Sequence, residues 1–122
     1  MLSTTPDDPH DTTTRAVHRD DGELVGVLIA DGALWAPCTV FGHRLAEARP
    51  EDEAVDFLIA EGLGSLAGGW EFNDDGAWLN VQVVEANTTH VTVSFADYGR
   101  ADLFGQRRTL TAPVGGRLRR RR

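Results

Sequence analysis

Residues 69–113, GWEFNDDGAWLNVQVVEANTTHVTVSFADYGRADLFGQRRTLTAP, decide the fold. Apolar and polar side chains alternate along them with a period of two, the spacing of a strand with one buried face. Trp70 to Asn73 is expected to pair with Ala77 to Ala86 across the Asp74-Asp75-Gly76 turn. His90 to Ala96 returns after Asn87-Thr88-Thr89, and a short strand around Arg108 to Thr111 edges the sheet. Leu79, Val81 and Val83 with Val91, Val93 and Phe95 then form the core face. Trp78, Asn80, Gln82, Thr92 and Ser94 form the opposite, polar face.

The first half reads as a hairpin followed by a helix. Glu23 to Ala30 and Ala33 to Phe41 flank Asp31-Gly32, a pair suited to a type I′ turn, which would set Ala30 opposite Ala33. One face carries Val25, Val27, Ile29, Leu34, Ala36, Cys38 and Val40, and the other carries Leu28, Trp35, Pro37 and Phe41. Pro37 has no amide proton to give to a ladder, so its strand is expected at a sheet edge there. Pro50 suits the first turn of a helix, and Glu51, Asp52 and Glu53 complement the positive end of its dipole. Gly62 ends it, and residues 64–69 read as a connector. The acidic helix side, Glu51, Asp52, Glu53, Asp56 and Glu61, reads as a solvated face, or else as a patch for a basic partner.

Composition fixes the flanks. Residues 1–20 are rich in Thr, Asp and Pro, with too few large apolar side chains to offset the entropy of ordering, and are expected to form a disordered arm. All twelve basic residues are arginine, and Arg107, Arg108, Arg117 and Arg119 to Arg122 cluster at the C-terminal end. Subtracting those seven from the net charge of −7 leaves −14 over residues 1–106. Residues 114–122 are expected to be a disordered arginine-rich tail, attracted to nucleic acid, to an acidic partner or to the protein's own body. A single cysteine, no signal-like N-terminus and no long apolar run point to a cytoplasmic chain with no membrane partner. The absence of lysine beside abundant Ala, Gly, Val and Asp suggests a GC-rich, bacterial coding sequence.

The order Asp74-Asp75-Gly76-x-Trp78 followed by Asp97-Tyr98-Gly99 resembles a Tudor-type SH3-like barrel. The resemblance covers residues 69–113 and implies a ligand-binding, non-catalytic domain with an aromatic cage for methylated arginine or lysine. Phe72, Phe95 and Tyr98 fall on cage positions. Leu79 stands where a tyrosine is expected and Arg100 where an asparagine is expected, which argues against methyl-cation binding.

Catalytic motifs are sparse. Cys38 and His43 suggest a nucleophile and a base, yet Cys38 lies on the aliphatic face of its hairpin, where a thiol is inert. His10, His18, His43 and His90 lack metal-ligand spacing, and Asp74-Asp75-Gly76 lacks the other ligands of a calcium loop. No glycine-lysine phosphate loop occurs, so neither metal nor cofactor is expected.

The expectation is one α+β domain over residues 21–113: a hairpin-helix half, 21–68, then a Tudor-like antiparallel half, 69–113. It would act as a non-enzymatic protein-interaction module through Trp78, Asn80, Gln82, Thr92, Ser94 and Tyr98, or through the Trp35 edge. The alternatives are a nucleic-acid accessory protein acting through Arg117, Arg119, Arg120, Arg121 and Arg122, and a small cysteine-dependent enzyme. Oligomeric state is left open.

Overall fold

A computed structural model of the chain describes residues 13–112 and 114–121. It is an α+β arrangement of two antiparallel sheets and one main helix. The first sheet has the order β1 (Thr14–His18), β2 (Leu24–Asp31), β3 (Leu34–Cys38). Strand β1 corrects the expectation of a disordered arm over residues 1–20; residues 1–12 lie outside the described ones. Only Val17 of β1 is buried, so the strand is held chiefly by its ladder to β2, from Thr14 opposite Ile29 to His18 opposite Leu24. The connecting turn uses Gly22 at φ +88° and the Asp21 carboxylate, which accepts from the Glu23 N–H at 2.9 Å.

The β2–β3 hairpin forms, with its turn moved one residue along. Asp31 pairs with Leu34 and Ala30 with Trp35, so the loop is Gly32-Ala33 rather than Asp31-Gly32. Only Gly32, at φ +64°, takes a positive φ, so the turn needs one such residue where type I′ needs two. Each paired β2 residue meets a partner two places further along β3, and an even shift keeps residues 27–31 and 34–38 on their expected faces. Val25, skipped at the irregularity in the β1–β2 ladder, instead joins the cluster of Leu28. As Pro37 requires, β3 is an edge strand; the chain at 44–49 covers it, with the Leu45 N–H donating to the Pro37 carbonyl at 2.9 Å.

Helix α1 (Glu51–Glu61) lies on the Leu28 and Trp35 side of this sheet, burying Ala54 and Leu58 against Val17, Val25 and Leu28. Its close approach explains two glycines. A Cβ at Gly26 would collide with the Cys38 carbonyl oxygen of β3 at 2.5 Å and sit 2.9 Å from a Leu58 methyl, and one at Gly62 would collide with the Val25 carbonyl oxygen. Gly62 has φ −55°, so the helix ends there without a left-handed residue, and steric room beside β2 is the reason for the glycine. Residues 64–67 form a short helix, α2 (Gly64–Ala67), where a plain connector was expected; its Ser65 carbonyl accepts from the Trp70 indole at 3.1 Å.

The second sheet contains β4 (Trp70–Asp74), β5 (Ala77–Ala86), β6 (His90–Phe95), β7 (Arg107–Thr111) and β8 (Leu118–Arg120), in the order β7-β6-β5-β4-β8. Asp74 pairs with Ala77, leaving Asp75 and Gly76 as a two-residue turn at φ 54° and 94°. The expected core face is buried at Leu79, Val81, Val91, Val93 and Phe95, around a fully buried Trp70. Val40 and Phe41, arriving from the first sheet, join the same cluster.

Strand β8 corrects the disordered tail. A 3₁₀ turn at Gly115–Arg117 leads into it, and Leu118 to Arg120 pair antiparallel with Phe72 to Trp70. Two apolar residues in an arginine-rich run cause this: Val114 is 3% exposed and Leu118 1%, both inside the main core. Burial of that size offsets the ordering of a three-residue strand. The edge strands β7 and β8 are not hydrogen-bonded to each other, so the sheet is open.

Candidate interaction surface on the five-stranded sheet

The expected cage residues separate. Phe72 and Phe95 are each 2% exposed and meet edge to face, with centroids 5.7 Å apart. The Arg108 guanidinium lies 5.4 Å from both centroids, and Arg117 lies 5.9 Å from Phe72. These rings are core residues whose approachable faces already meet internal cations. Tyr98 is apart from them, 89% exposed and stacked on Phe104 at 5.2 Å and 29°. Leu79 is buried, and Arg100 is committed to a bidentate pair with Asp102 at 3.0 Å.

The polar face forms as a face, but not all of it is available. Gln82 pairs with Ser94 in the ladder, and Asn80 with Glu71. The Thr92 hydroxyl is engaged with that of Thr109 at 2.8 Å. Trp78 is half-buried under Arg119, whose guanidinium carbon is 3.9 Å from the ring centroid while its Nε donates to Glu71 at 2.7 Å. Trp35 belongs elsewhere: it sits against the α1 core beneath Arg15, on the other sheet.

The segment from Ala96 to Gln106 holds Tyr98 and Phe104 in place through many short hydrogen bonds. Asp97 accepts from the Asn80 N–H at 3.0 Å with one carboxylate oxygen and from the Gly99 N–H at 2.8 Å with the other. These two bonds, the first foremost, hold its carboxyl below the ordinary value. The Arg100 N–H donates to the Asp97 carbonyl, the Phe104 N–H to that of Arg100, and the Gly105 N–H to that of Phe95. An exposed aromatic pair is therefore presented on a pinned loop.

Beside it opens a cleft of about 280 Å³, lined by Gly68, Gly69, Asn80, Gln82, Tyr98 and Arg121 among others. Three expected face residues meet there with one tail arginine, although 52 residues separate Arg121 from Gly69. The Arg121 N–H donates to the Gly69 carbonyl at 2.9 Å. Phe104 and Gly69 were not among the expected site residues. The Phe in Ala-Asp-Leu-Phe-Gly was a legible signal, whereas Gly68-Gly69 looked like a spacer. Of the tail arginines, Arg119 is paired to Glu71, Arg117 lies over Phe72, Arg120 and Arg121 point to no carboxylate among the described residues, and Arg122 lies outside them.

The thiol and the imidazole have separate partners. Cys38 is 1% exposed, its Sγ donates to the Ala36 carbonyl at 3.5 Å, and burial pushes it up to about 11 against the opposing pull of Arg44. The His43 ring packs edge-on against Trp70 at 4.9 Å, and burial, then Arg120, lower its pKa. Among the described residues no group of three His, Cys, Asp or Glu is placed to hold a metal, and no helix is long and apolar enough to cross a membrane. Comparison with protein-family models, curated proteins and solved structures finds no match.

Proposed function

We propose that the chain is a non-enzymatic protein-interaction module whose partner docks on the Tyr98–Phe104 pair and the adjoining cleft. One observation carries this: two large aromatic side chains, 89% and 48% exposed, are stacked on a loop pinned by Asp97 and Arg100. Exposed aromatics on a rigid support cost little entropy to bury against a partner and are frequent binding anchors. The resemblance of residues 69–113 to a Tudor-type domain, a ligand-binding family, supports the same reading, carried here on an open antiparallel sheet. A reducing, cytoplasmic setting suits the single buried thiol, and the lysine-free composition suits a bacterial source.

Affinity capture with the full chain tests the function. The double variant Tyr98→Ala, Phe104→Ala removes exposed side chains, so far-ultraviolet circular dichroism and the melting temperature should stay at wild-type values while partner capture is lost. Equal capture by the folded double variant refutes the reading.

A further inference from the structure

Resting on that reading, we propose that Arg121 is a pre-positioned carboxylate receptor and that the partner presents an acidic peptide side chain to the cleft. The guanidinium is placed by shape. A Cβ at Gly69 would lie 2.5, 2.6 and 2.7 Å from Nη2, Nε and Cζ of Arg121, so the planar group occupies the space that a side chain at 69 would fill. Backbone pairing of Arg121 with Gly69 anchors the same residue from behind. The guanidinium therefore lies on the cleft wall before any ligand arrives.

Among the described residues the Arg121 guanidinium makes no ion pair. Glu71, which lines a neighbouring cleft with Arg121, gives one carboxylate oxygen to Arg119 at 2.7 Å and none to Arg121, and Asp97, beside the cleft, turns both oxygens to backbone N–H groups. The side-chain amides of Asn80 and Gln82 and the Tyr98 hydroxyl line the same space, with no hydrogen-bond partner among the described residues. Arg121, Asn80, Gln82 and Tyr98, each carrying a side-chain hydrogen-bond donor, line a cleft just below the ~300–1,000 Å³ range of small-molecule sites. A planar fork of donors matches the two oxygens of a carboxylate bidentately.

Charge decides among the oxyanions. The chain as a whole carries −7, so every further negative charge on a ligand adds repulsion. A single carboxylate brings the least, and a phosphate backbone brings one charge per nucleotide to a cleft with one unpaired guanidinium. An acidic residue followed by an apolar one sets the carboxylate on Arg121 and the apolar group on Tyr98.

The test titrates the ¹⁵N-labelled full chain with four probes: acetyl-Gly-Glu-Phe-Gly-amide, its glutamine counterpart, its phosphoserine counterpart and a thymidine decamer. The glutamate peptide should move the Asn80 and Gln82 side-chain amides and the Arg121 Nε–H saturably. The glutamine peptide should bind about tenfold more weakly, the difference between a charge-assisted and a neutral hydrogen bond. Arg121→Gln should erase the preference. Gly69→Ala should reduce it several-fold by displacing the guanidinium, since position 69 is outside the left-handed region and only a flexible side chain stands in the way. Equal binding of the two peptides, an unchanged preference in Arg121→Gln, stronger binding of the phosphoserine peptide or the decamer, or no saturable shift at all would each overturn the inference. Loss of capture by the Tyr98, Phe104 variant alongside any of those results would leave the docking surface standing and remove only its carboxylate chemistry.

Discussion

Replacing Leu118 by alanine asks whether the C-terminal arginine run is part of the fold. The side chain is 1% exposed and belongs to the core with Trp70, Phe72 and Val114. Truncating a buried leucine costs about 2–5 kcal/mol, of which only part is the lost transfer of methyl groups. Strand β8 is three residues long and has a single fully buried anchor, so its detachment also releases the contacts of Arg119 with Glu71 and Trp78. A loss of about 3 kcal/mol, with a urea slope near 1.5 kcal/mol/M, moves the midpoint down by about 2 M. Arg119→Ala, which removes an exposed ion pair and one cation–π contact, should cost about 1 kcal/mol. The assay is urea unfolding followed by tryptophan fluorescence. A Leu118→Ala midpoint within about 0.3 M of wild type would refute the reasoning, because a free tail has no core contact to lose. The same logic disqualifies deletion of residues 117–122 as a test of nucleic-acid binding: it removes a strand with the charges. Arg120→Gln with Arg121→Gln tests charge alone.

Two further outcomes follow from the site geometry. Cys38, buried and raised to about 11, should react slowly with a thiol reagent in the native state and quickly in denaturant; fast native labelling would reopen the cysteine-enzyme alternative. Asp97 has a depressed folded pKa, so its contribution is present above the unfolded value of 3.8 and is lost as pH falls through the folded one; the stability gap between wild type and Asp97→Asn should narrow on acidification below about pH 4, and a gap independent of pH would sink the argument.

Local signals decided what the chain disclosed. Asp75-Gly76 supplies the two positive φ values of a tight hairpin, and period-two alternation sorted Leu79 and Val81 from Asn80 and Gln82 without any tertiary information. The same Asp-Asp-Gly signal stands at 20–22, where it makes the β1–β2 turn, but the polar composition of residues 1–20 outweighed it. A ladder to a neighbouring strand supplied what burial did not. Gly62 was legible as a helix end and illegible as a contact, because its reason is the Val25 carbonyl on another element. The cleft was half legible: Asn80, Gln82 and Tyr98 lie on one alternating face or its adjoining loop, whereas Arg121 reaches it only after β8 has paired with β4.

The arginines link these observations. Their exposed ion pairs contribute little each, as between Arg15 and Glu51 or Arg44 and Asp31. Guanidinium planes against rings are a different use: Arg108 covers Phe72 and Phe95, Arg117 approaches Phe72, and Arg119 covers Trp78. A planar, weakly hydrated cation shields an aromatic edge that a lysine ammonium would leave wetter, so in this chain arginine acts as a packing residue at the rim of the sheet. The aromatics that resemble a methyl-cation cage are thus satisfied from within, and an external cation would have to displace an internal one that is covalently tethered. Arg121 escapes this fate because its neighbour at 69 has no ring and no side chain. Its guanidinium lies flat on a glycine, with its hydrogen-bond donors still available to an incoming carboxylate.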